Sequence, residues 1–377
     1  MNSVFVIAFY SLATVLSLQI VSFSKKRLYK FNNSISDQPQ NGSVKLSVIG
    51  LLAVDFLFVA CNFISTRFKP VFTGDRRIYE LDFNGIRISP SIGLDAIIRF
   101  IKIFTDNSEH LFYVSTFIVL LISIIAFNLS NDSSTLSYLF LFASQYVFNA
   151  FTVLKQSYTN AFAALCIICF LEATHNKKYY IIGIASIFLG TLFHPTSYFL
   201  IPLCLVLFFR KTKKSIFLYS FIITVAFFFL DDISLYIARV ISPVLPIVST
   251  KIYQYLGETS IELSTERFTF VKGFPYYVIT VLGFIYRPRL KDKINNYDNY
   301  LLLSVLLSFC YITTVYNGWL YRFSYFFYLP VGIFFSLLLK NVKNRNNRII
   351  IGAVVIGSML VLTFRFVVLM FVNYGGF

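Results

Sequence analysis

The chain alternates between long apolar runs and short polar segments along nearly its whole length. A bilayer core is crossed by about 20 apolar residues in helical conformation. The pattern therefore predicts an all-α, polytopic membrane protein of about twelve transmembrane helices. The predicted spans lie near residues 3–24, 46–65, 111–128, 136–153, 157–174, 179–193, 195–209, 215–230, 273–286, 299–316, 322–339 and 349–372.

Composition agrees with that class and excludes a water-soluble exterior. The 377 residues are 57% hydrophobic and 13% charged, with a mean hydropathy of +0.72, whereas soluble domains are about 25% charged. The net charge is +16, from 33 basic and 17 acidic residues. The bases form short clusters between apolar runs, which indicates contact with anionic lipid and no nucleic-acid partner.

The basic clusters occupy alternate connections, which predicts the orientation of the chain in the membrane. Loops rich in lysine and arginine stay in the cytoplasm, so the connections between them are predicted to face outward. The predicted cytoplasmic clusters are Lys25, Lys26, Arg27, Lys30 and Lys45; Lys177 and Lys178; Arg210, Lys211, Lys213 and Lys214; Arg287, Arg289, Lys291 and Lys293; and Lys340, Lys343, Arg345 and Arg348.

Two outward segments, residues 66–110 and 231–272, are longer than turns. Both are predicted to carry interfacial helices that lie on the outer face of one integral membrane domain spanning 1–377. In the first segment, one helical face is predicted to contain Leu94, Ile97, Ile98, Ile101 and Phe104. The second segment opens with Asp231-Asp232.

The cysteines do not have the pattern of a metal site. Cys166 and Cys169 form a C-x-x-C inside an apolar run, but no second pair and no nearby histidine completes a zinc site. We interpret them as small buried side chains on one helix face. No metal and no cofactor are predicted.

The first outward segment contains candidate chemistry between Gly74 and Glu80. Asp75 is a carboxylate suited to act as a base toward a sugar hydroxyl, and Arg76 has the planar fork that suits phosphate. Tyr79 is an aromatic neighbour of both. The alternative is a solvated loop in which these charges pair with each other.

Other polar residues interrupt apolar runs. Lys155 and Gln156 lie either at an outer turn between two spans or inside one broken helix, where a cation needs a polar cavity. His194, before Pro195, is suited to proton transfer; the alternative is a hydrogen-bonded helix end. Arg322 is a candidate phosphate clamp or an anchor in the aromatic belt.

Two charged residues fall within predicted spans. Asp55 lies in mid-span, where an acid is a functional candidate with a cationic partner, either as an ion pair or on a proton path. Arg365 is near enough to the outer end of its span to extend to the interface. We expect Asp75, Lys155, His194 and Arg322 to share an outward-facing cavity.

These features together resemble the EpsG family of bacterial exopolysaccharide proteins, which belongs with the Wzy-type O-antigen and capsule polymerases. The resemblance covers about residues 1–340, and one departure is the lysine at Lys155, where the family has arginine and its bidentate fork. Four segments carry the resemblance. Gly74-Asp75-x-x-x-Tyr79 resembles a G-x-D/G-D…Y outer loop, and Asn149…Lys155-Gln156 with Ala161 resembles an R-Q-x-x-A segment. Phe193-His194-x-x-Ser197 resembles an F-H-x-S motif, and Tyr321-Arg322…Tyr325-Phe326 is similar to R…Y-F.

The resemblance implies a polysaccharide polymerase, a nucleotide-sugar-independent glycosyltransferase of the bacterial cytoplasmic (inner) membrane. It would move a nascent glycan from undecaprenyl pyrophosphate to the nonreducing-end hydroxyl of a new lipid-linked repeat unit at the outer face. Expected partners besides the bilayer are a chain-length regulator and a flippase. The implied roles are catalytic base for His194 or Asp75, pyrophosphate binding for Arg322 and Lys155, and substrate positioning for Gln156, Tyr79, Arg76 and Ser197.

Two other functions fit the same class of protein. A flippase of lipid-linked oligosaccharides also has about twelve spans, although such transporters usually show repeated halves, and no repeat is visible here. A membrane acyltransferase would need an early catalytic histidine in a basic cluster. His110, which follows Glu109, does not fit that requirement.

Overall fold

The computed structural model describes residues 74–89, 91–130, 153–174, 176–209, 271–294, 296–312 and 321–374, with a few isolated residues between 137 and 144 and between 236 and 243. Within these ranges the chain is helical and contains no strand. It divides into two compact units, residues 1–201 with 360–377 and residues 202–359. The predicted helical class is therefore confirmed.

The helices of the described ranges follow the predicted apolar runs. A 3-10 helix, Pro195–Phe199, connects α5 directly to α6. The α-helices are α1 Gly74–Phe83, α2 Ile92–Lys102, α3 Glu109–Leu129, α4 Leu154–Glu172, α5 Lys178–Phe193, α6 Leu200–Phe209, α7 Phe274–Leu290, α8 Tyr297–Ile312, α9 Tyr321–Ser324, α10 Tyr328–Lys340 and α11 Arg345–Tyr374.

Three of these helices contain stretches long and apolar enough to cross a bilayer: Glu109–Phe127, Leu154–Glu172 and Arg345–Thr363. Shorter apolar helices include Lys178–Phe193, Tyr297–Ile312 and Tyr328–Lys340. The spans predicted near 3–24, 46–65 and 215–230, and most of 136–153, lie outside the described residues, as does most of the segment 231–272. The count of twelve therefore stays a prediction.

The first unit is built around α4. Nearly every side chain of α4 is buried, and the helix packs between α3 and α5. Cys166 and Cys169 are both buried within it, which confirms their interpretation as small core residues. A membrane helix that is covered on all sides belongs to the interior of a bundle, so the polar residues at its beginning are shielded from lipid.

The second unit contains a hairpin of α7 and α8, against which α10 packs. Arg287 donates two hydrogen bonds to the Asp298 carboxylate, at 2.9 and 3.1 Å, across the turn of this hairpin. The Tyr297 hydroxyl donates to the carbonyl oxygen of Gly283 at 2.6 Å. These bonds hold the two helices together at the end where the sequence predicts a cytoplasmic loop.

Candidate functional site

The first outward segment folds into α1 and α2, which pack against the beginnings of α3 and α4. The buried face of α1 contains Tyr79 and Phe83, four residues apart, and that of α2 contains Leu94, Ile98 and Ile101. These side chains form one core cluster with Leu111, Phe112 and Leu154. The packing of this core places the candidate polar residues of α1 and α4 close together at one end of the unit.

The apolar face of α2 contacts protein, which corrects part of the interpretation of this helix. The sequence pattern places Phe104 on the same face as Leu94, but α2 ends at Lys102 and Phe104 is 74% exposed. The predicted membrane-facing residues Leu94, Ile98 and Ile101 are buried against other helices. The periodicity of the sequence predicted which residues of α2 share a face, but it did not predict what that face contacts.

Ser91 fixes the position of α2. Its hydroxyl oxygen accepts a hydrogen bond from the Leu94 backbone N–H at 3.3 Å, as an N-cap residue does. The same hydroxyl donates to the carbonyl oxygen of Leu192 at 3.1 Å, in the last turn of α5. One serine thus begins α2 and attaches it to α5 two residues before His194.

Two cations lie over two aromatic rings at the junction of α1, α3 and α4. The Arg76 guanidinium carbon is 4.5 Å from the centre of the Phe112 ring, and the Lys155 Nζ is 5.7 Å from that of Tyr79. The two rings contact each other edge to face, with centroids 6.5 Å apart. Glu80 accepts a hydrogen bond from Arg76 at 3.0 Å. Glu80 pairs with Arg76, and Lys155 adds a second cation at the same junction.

Lys155 occupies the first turn of α4, which begins at Leu154. The residues just before Val153 lie outside the described ranges, so the outer-turn and broken-helix alternatives both stay predictions. Val153, at the N-cap, provides no side-chain hydrogen bond to the helix. The unpaired N–H groups of a helix N-terminus attract anions, and Lys155 adds a positive charge at the same place.

The polar run after Lys155 is buried. Gln156 is 4% exposed, and its amide donates to the Asn160 side-chain oxygen at 2.9 Å. The sequence analysis named Gln156 as a candidate but missed the next four residues. They could have been found from the uninterrupted polar run that they form within an apolar segment. These residues are Ser157, Tyr158, Thr159 and Asn160, each no more than 2% exposed.

His194 is the single residue between α5 and the 3-10 helix. Its backbone N–H donates to the carbonyl oxygen of Gly190 at 3.1 Å and so ends α5. Its Nδ1 accepts a hydrogen bond from the Thr196 backbone N–H at 3.2 Å and lies 2.9 Å from the Thr196 hydroxyl. Because Nδ1 is an acceptor, the proton of the neutral ring is on Nε2. This tautomer is suited to donate a hydrogen bond through Nε2.

The His194 turn packs directly against the beginning of α4. The Tyr158 and Phe193 rings are stacked with centroids 4.1 Å apart, and the Thr159 hydroxyl lies 3.3 Å from the Gly190 carbonyl oxygen, to which it donates. Ser197 is fully buried in the 3-10 helix. The structure therefore brings the segments of Tyr79, Lys155 and His194 together in one unit.

For two predicted site residues, the structure gives no position relative to this group. Asp75 lies in the first turn of α1, and its side chain is outside the described residues. Arg322 is exposed and lies in α9 of the second unit, so its place in a shared cavity stays a prediction. Asp55 and the Arg365 side chain also lie outside the described residues.

The described part of the chain has long apolar helices, a buried polar run, and two cations held over aromatic rings at one end of a unit. These features are typical of a helical membrane protein with a polar site. The EpsG family model matches residues 56–376, nearly the whole chain, and the protein belongs to the EpsG family. This family is of the exopolysaccharide and O-antigen polymerase type. No curated protein and no solved structure matches the chain.

Proposed function

We propose that the protein is a polysaccharide polymerase that joins lipid-linked repeat units at the outer face of the bacterial cytoplasmic membrane. The acceptor hydroxyl of a new repeat unit attacks the anomeric carbon of the growing glycan. The bond between that carbon and the pyrophosphate oxygen breaks, and undecaprenyl pyrophosphate leaves. The hydroxyl proton passes to a base on the protein, and the energy comes from the glycosyl–pyrophosphate bond.

The arrangement of Arg76 and Lys155 carries this proposal. A diphosphate leaving group gains negative charge as the bond breaks, so fixed cations stabilise the transition state. Arg76 and Lys155 are held over rings that contact each other, beside the N-terminus of α4. A cation held over an aromatic ring gains about 0.5–2 kcal/mol, which fixes its position before substrate binds. Gln156 and Tyr79 lie at the same junction and position sugar or phosphate.

The hydrogen bonds of His194 favour a division of roles with Asp75. With Nδ1 occupied as an acceptor, His194 donates from Nε2 to an oxygen of the pyrophosphate or sugar. Asp75, at the beginning of α1, then takes the proton of the acceptor hydroxyl. Ser197 is fully buried in the turn that follows His194 and supports it, and Arg322 is assigned a further phosphate contact as a prediction from the sequence.

Flipping of lipid-linked oligosaccharide is the second candidate function. The packing of the first outward segment argues against it, because α1 and α2 share a core with α3 and α4. Transporters of this kind usually have repeated halves around a site at the middle of the membrane. A site assembled from an outward segment and the ends of membrane helices fits chemistry at the outer face better.

The experiment is a surface-polysaccharide gel of a deletion strain complemented with wild type, Lys155→Ala, His194→Ala or Arg322→Ala. We expect deletion to reduce the ladder to a single repeat unit and wild type to restore it. Each substitution should lower polymer by about 100-fold or more, as the loss of a transition-state contact does. Arg77→Ala is the matched control, since Arg77 is exposed beside Arg76, and it should give a normal ladder.

Protein levels in membranes, measured by immunoblot, separate loss of activity from loss of protein. A ladder that survives deletion, or repeat units stranded on the cytoplasmic side, would overturn the polymerase proposal and favour transport. If His194→Ala and Arg322→Ala both give polymer of normal length, the polymerase proposal stands but the assigned site is wrong.

A further inference from the structure

The Phe193 ring, directly before His194, is enclosed by residues of α4 and α2. On one face it stacks on the Tyr158 ring of α4, with centroids 4.1 Å apart and planes inclined by 12°. A second ring of α4, that of Phe162, has its centroid 6.0 Å from that of Phe193. Phe193 is the last residue of α5, so these contacts attach the end of α5 to α4.

The other face of the Phe193 ring lies against Gly93 of α2. A Cβ added to Gly93 would be 3.0 Å from each of three ring carbons, Cδ1, Cδ2 and Cε1. A point equally distant from three atoms of a planar hexagon lies over its centre, so Gly93 is over the face of the ring and not at its edge. Since Tyr158 occupies one face, Gly93 is on the opposite one. The ring is thus held between α2 and α4.

Hydrogen bonds hold the last turn of α5 to the same two helices. The Ser91 hydroxyl, at the beginning of α2, donates to the carbonyl oxygen of Leu192 at 3.1 Å. The Thr159 hydroxyl of α4 donates to the carbonyl oxygen of Gly190 at 3.3 Å. The end of α5 is therefore fixed relative to both α2 and α4.

The His194 backbone is held on both sides. Its N–H donates to the carbonyl oxygen of Gly190 at 3.1 Å, and its own carbonyl oxygen accepts from the Ser197 N–H at 3.2 Å. The hydrogen bond from the Thr196 backbone N–H to Nδ1 closes the same turn. The location of the His194 ring thus follows from the location of the end of α5.

We propose that Phe193 is a positioning residue for His194, and that Gly93 and Tyr158, on opposite faces of its ring, hold it in place. The inference rests on the proposed function, because it concerns the group that donates a hydrogen bond to the substrate. Misplacing such a group by about 1 Å lowers a rate by about 100-fold. Phe193 acts only through His194. Through Gly93, the packing of α2 thereby affects the site at His194.

Tyr158 contributes its ring, not its hydroxyl, to this arrangement. The hydroxyl is buried and has no hydrogen bond of standard geometry within the described ranges. Tyr158→Phe therefore keeps the stack, whereas Tyr158→Leu removes it. Gly93→Val places side-chain atoms on the opposite face, where the first of them would already be 3.0 Å from the ring. The two disruptive substitutions act on opposite faces, so either one alone tests the proposal.

The test is the tautomer of His194, measured by NMR of isotope-labelled ring nitrogens in the full-length protein in detergent. The chain has three histidines, and a His194→Gln sample identifies the resonances of this one. In the wild type, Nδ1 should resonate as an unprotonated nitrogen and Nε2 as a protonated one, since Nδ1 accepts a hydrogen bond. The exposed His110 is the internal reference. Monodisperse elution from a sizing column confirms that each variant is folded.

We expect Tyr158→Leu and Gly93→Val to remove the difference between the two His194 nitrogens, because a released ring leaves Thr196 and populates both tautomers. Both should also lower polymer in the surface-polysaccharide gel by about 100-fold. Tyr158→Phe should keep the wild-type spectrum and ladder. So should the control Gly357→Val, since no atom lies within 4 Å of a Cβ added there.

A wild-type His194 spectrum in both Tyr158→Leu and Gly93→Val would overturn the proposal. A changed spectrum in Tyr158→Phe would overturn the role assigned to the ring. The spectrum requires no catalysis, so it separates this proposal from the proposed function. If the tautomers mix in both disruptive variants and polymer length stays normal, Phe193 positions His194 but His194 does not act in the reaction.

Discussion

The shape of the His194 turn depends on the absence of a side chain at Gly190. A Cβ at this position would lie 2.5 Å from the Ser197 hydroxyl oxygen and 3.3 Å from the Ser197 Cβ. Ser197 is fully buried, so it has little room to move away. The close approach lets the 3-10 helix fold back against α5 and holds His194 in an extended conformation between them.

We expect Gly190→Ala to destabilise the protein by about 1–3 kcal/mol, as overpacking of a core does, and to lower polymer yield. The measurement is thermal unfolding in detergent, followed by loss of the monodisperse peak. Gly190→Ala/Ser197→Ala should recover part of the stability, because it removes the nearer contact. Gly357→Ala is the control, since no atom lies within 4 Å of the added Cβ. No difference between positions 190 and 357 would contradict this account.

Some residues of the candidate site are predictable from the sequence and others are not. Lys155 and His194 stand out because a polar group in an apolar run is costly unless it has a function or a partner. Phe112 gives no such signal, since one more aromatic residue in an apolar segment is ordinary. Its contact with Arg76 depends on the packing of α1 against α3, which periodicity does not specify.

At the scale of elements, the hairpin of α7 and α8 contains a largely buried ion pair at its turn. The side chains of Arg287 and Asp298 are 19% and 7% exposed. Two hydrogen bonds in a fork arrangement offset part of the cost of removing both charges from water. Without its partner, either charge would be largely buried and uncompensated.

We expect Arg287→Met to destabilise the protein by about 3 kcal/mol, because it leaves the Asp298 carboxylate without its cation. Arg287→Met/Asp298→Leu should be less destabilising than the single substitution, since it removes both charges. The comparison is made by thermal unfolding in detergent. Arg289→Met is the matched control, because Arg289 is exposed on the same helix. A double variant less stable than Arg287→Met would contradict this account, since the uncompensated Asp298 carboxylate would then not be the source of the loss.

The sequence pattern predicts where helices lie better than what they face. The apolar runs correspond closely to the described helices, because a membrane helix must be long and apolar. The amphipathic stretch of α2 is also predicted, within two residues at each end. Its burial against protein was not predicted, since a protein core and a membrane give the same periodicity. Only the neighbouring helices distinguish the two.

At the scale of the whole molecule, the first unit has two ends of different character. Lys177 and Lys178 lie at the beginning of α5, and α2 packs at its other end. The positive-inside rule assigns the lysines to the cytoplasm. The rule therefore predicts that α1, α2, Lys155 and His194 lie at the outer face, where the proposed reaction would occur.

We expect a cysteine at Asn107 to react with a membrane-impermeant maleimide in spheroplasts, and a cysteine at Lys177 to react only after the membrane is opened. Both positions are exposed, so a difference in labelling reports the side of the membrane. Unsubstituted protein is the control, and its described cysteines are buried. Labelling of position 177 alone in closed spheroplasts would reverse the orientation and contradict the proposed location of the site.

The burial of α4 on all sides has a consequence for comparing this chain with its relatives. One inserted or deleted residue near position 162 would turn the beginning of the helix by about 100° relative to its end. Lys155 would then leave the Tyr79 ring, although length and hydropathy would hardly change. Relatives that share the function should therefore keep the register between the polar run and the buried half of this helix. An alignment judged by apolar content alone would not reveal that a relative has lost this register.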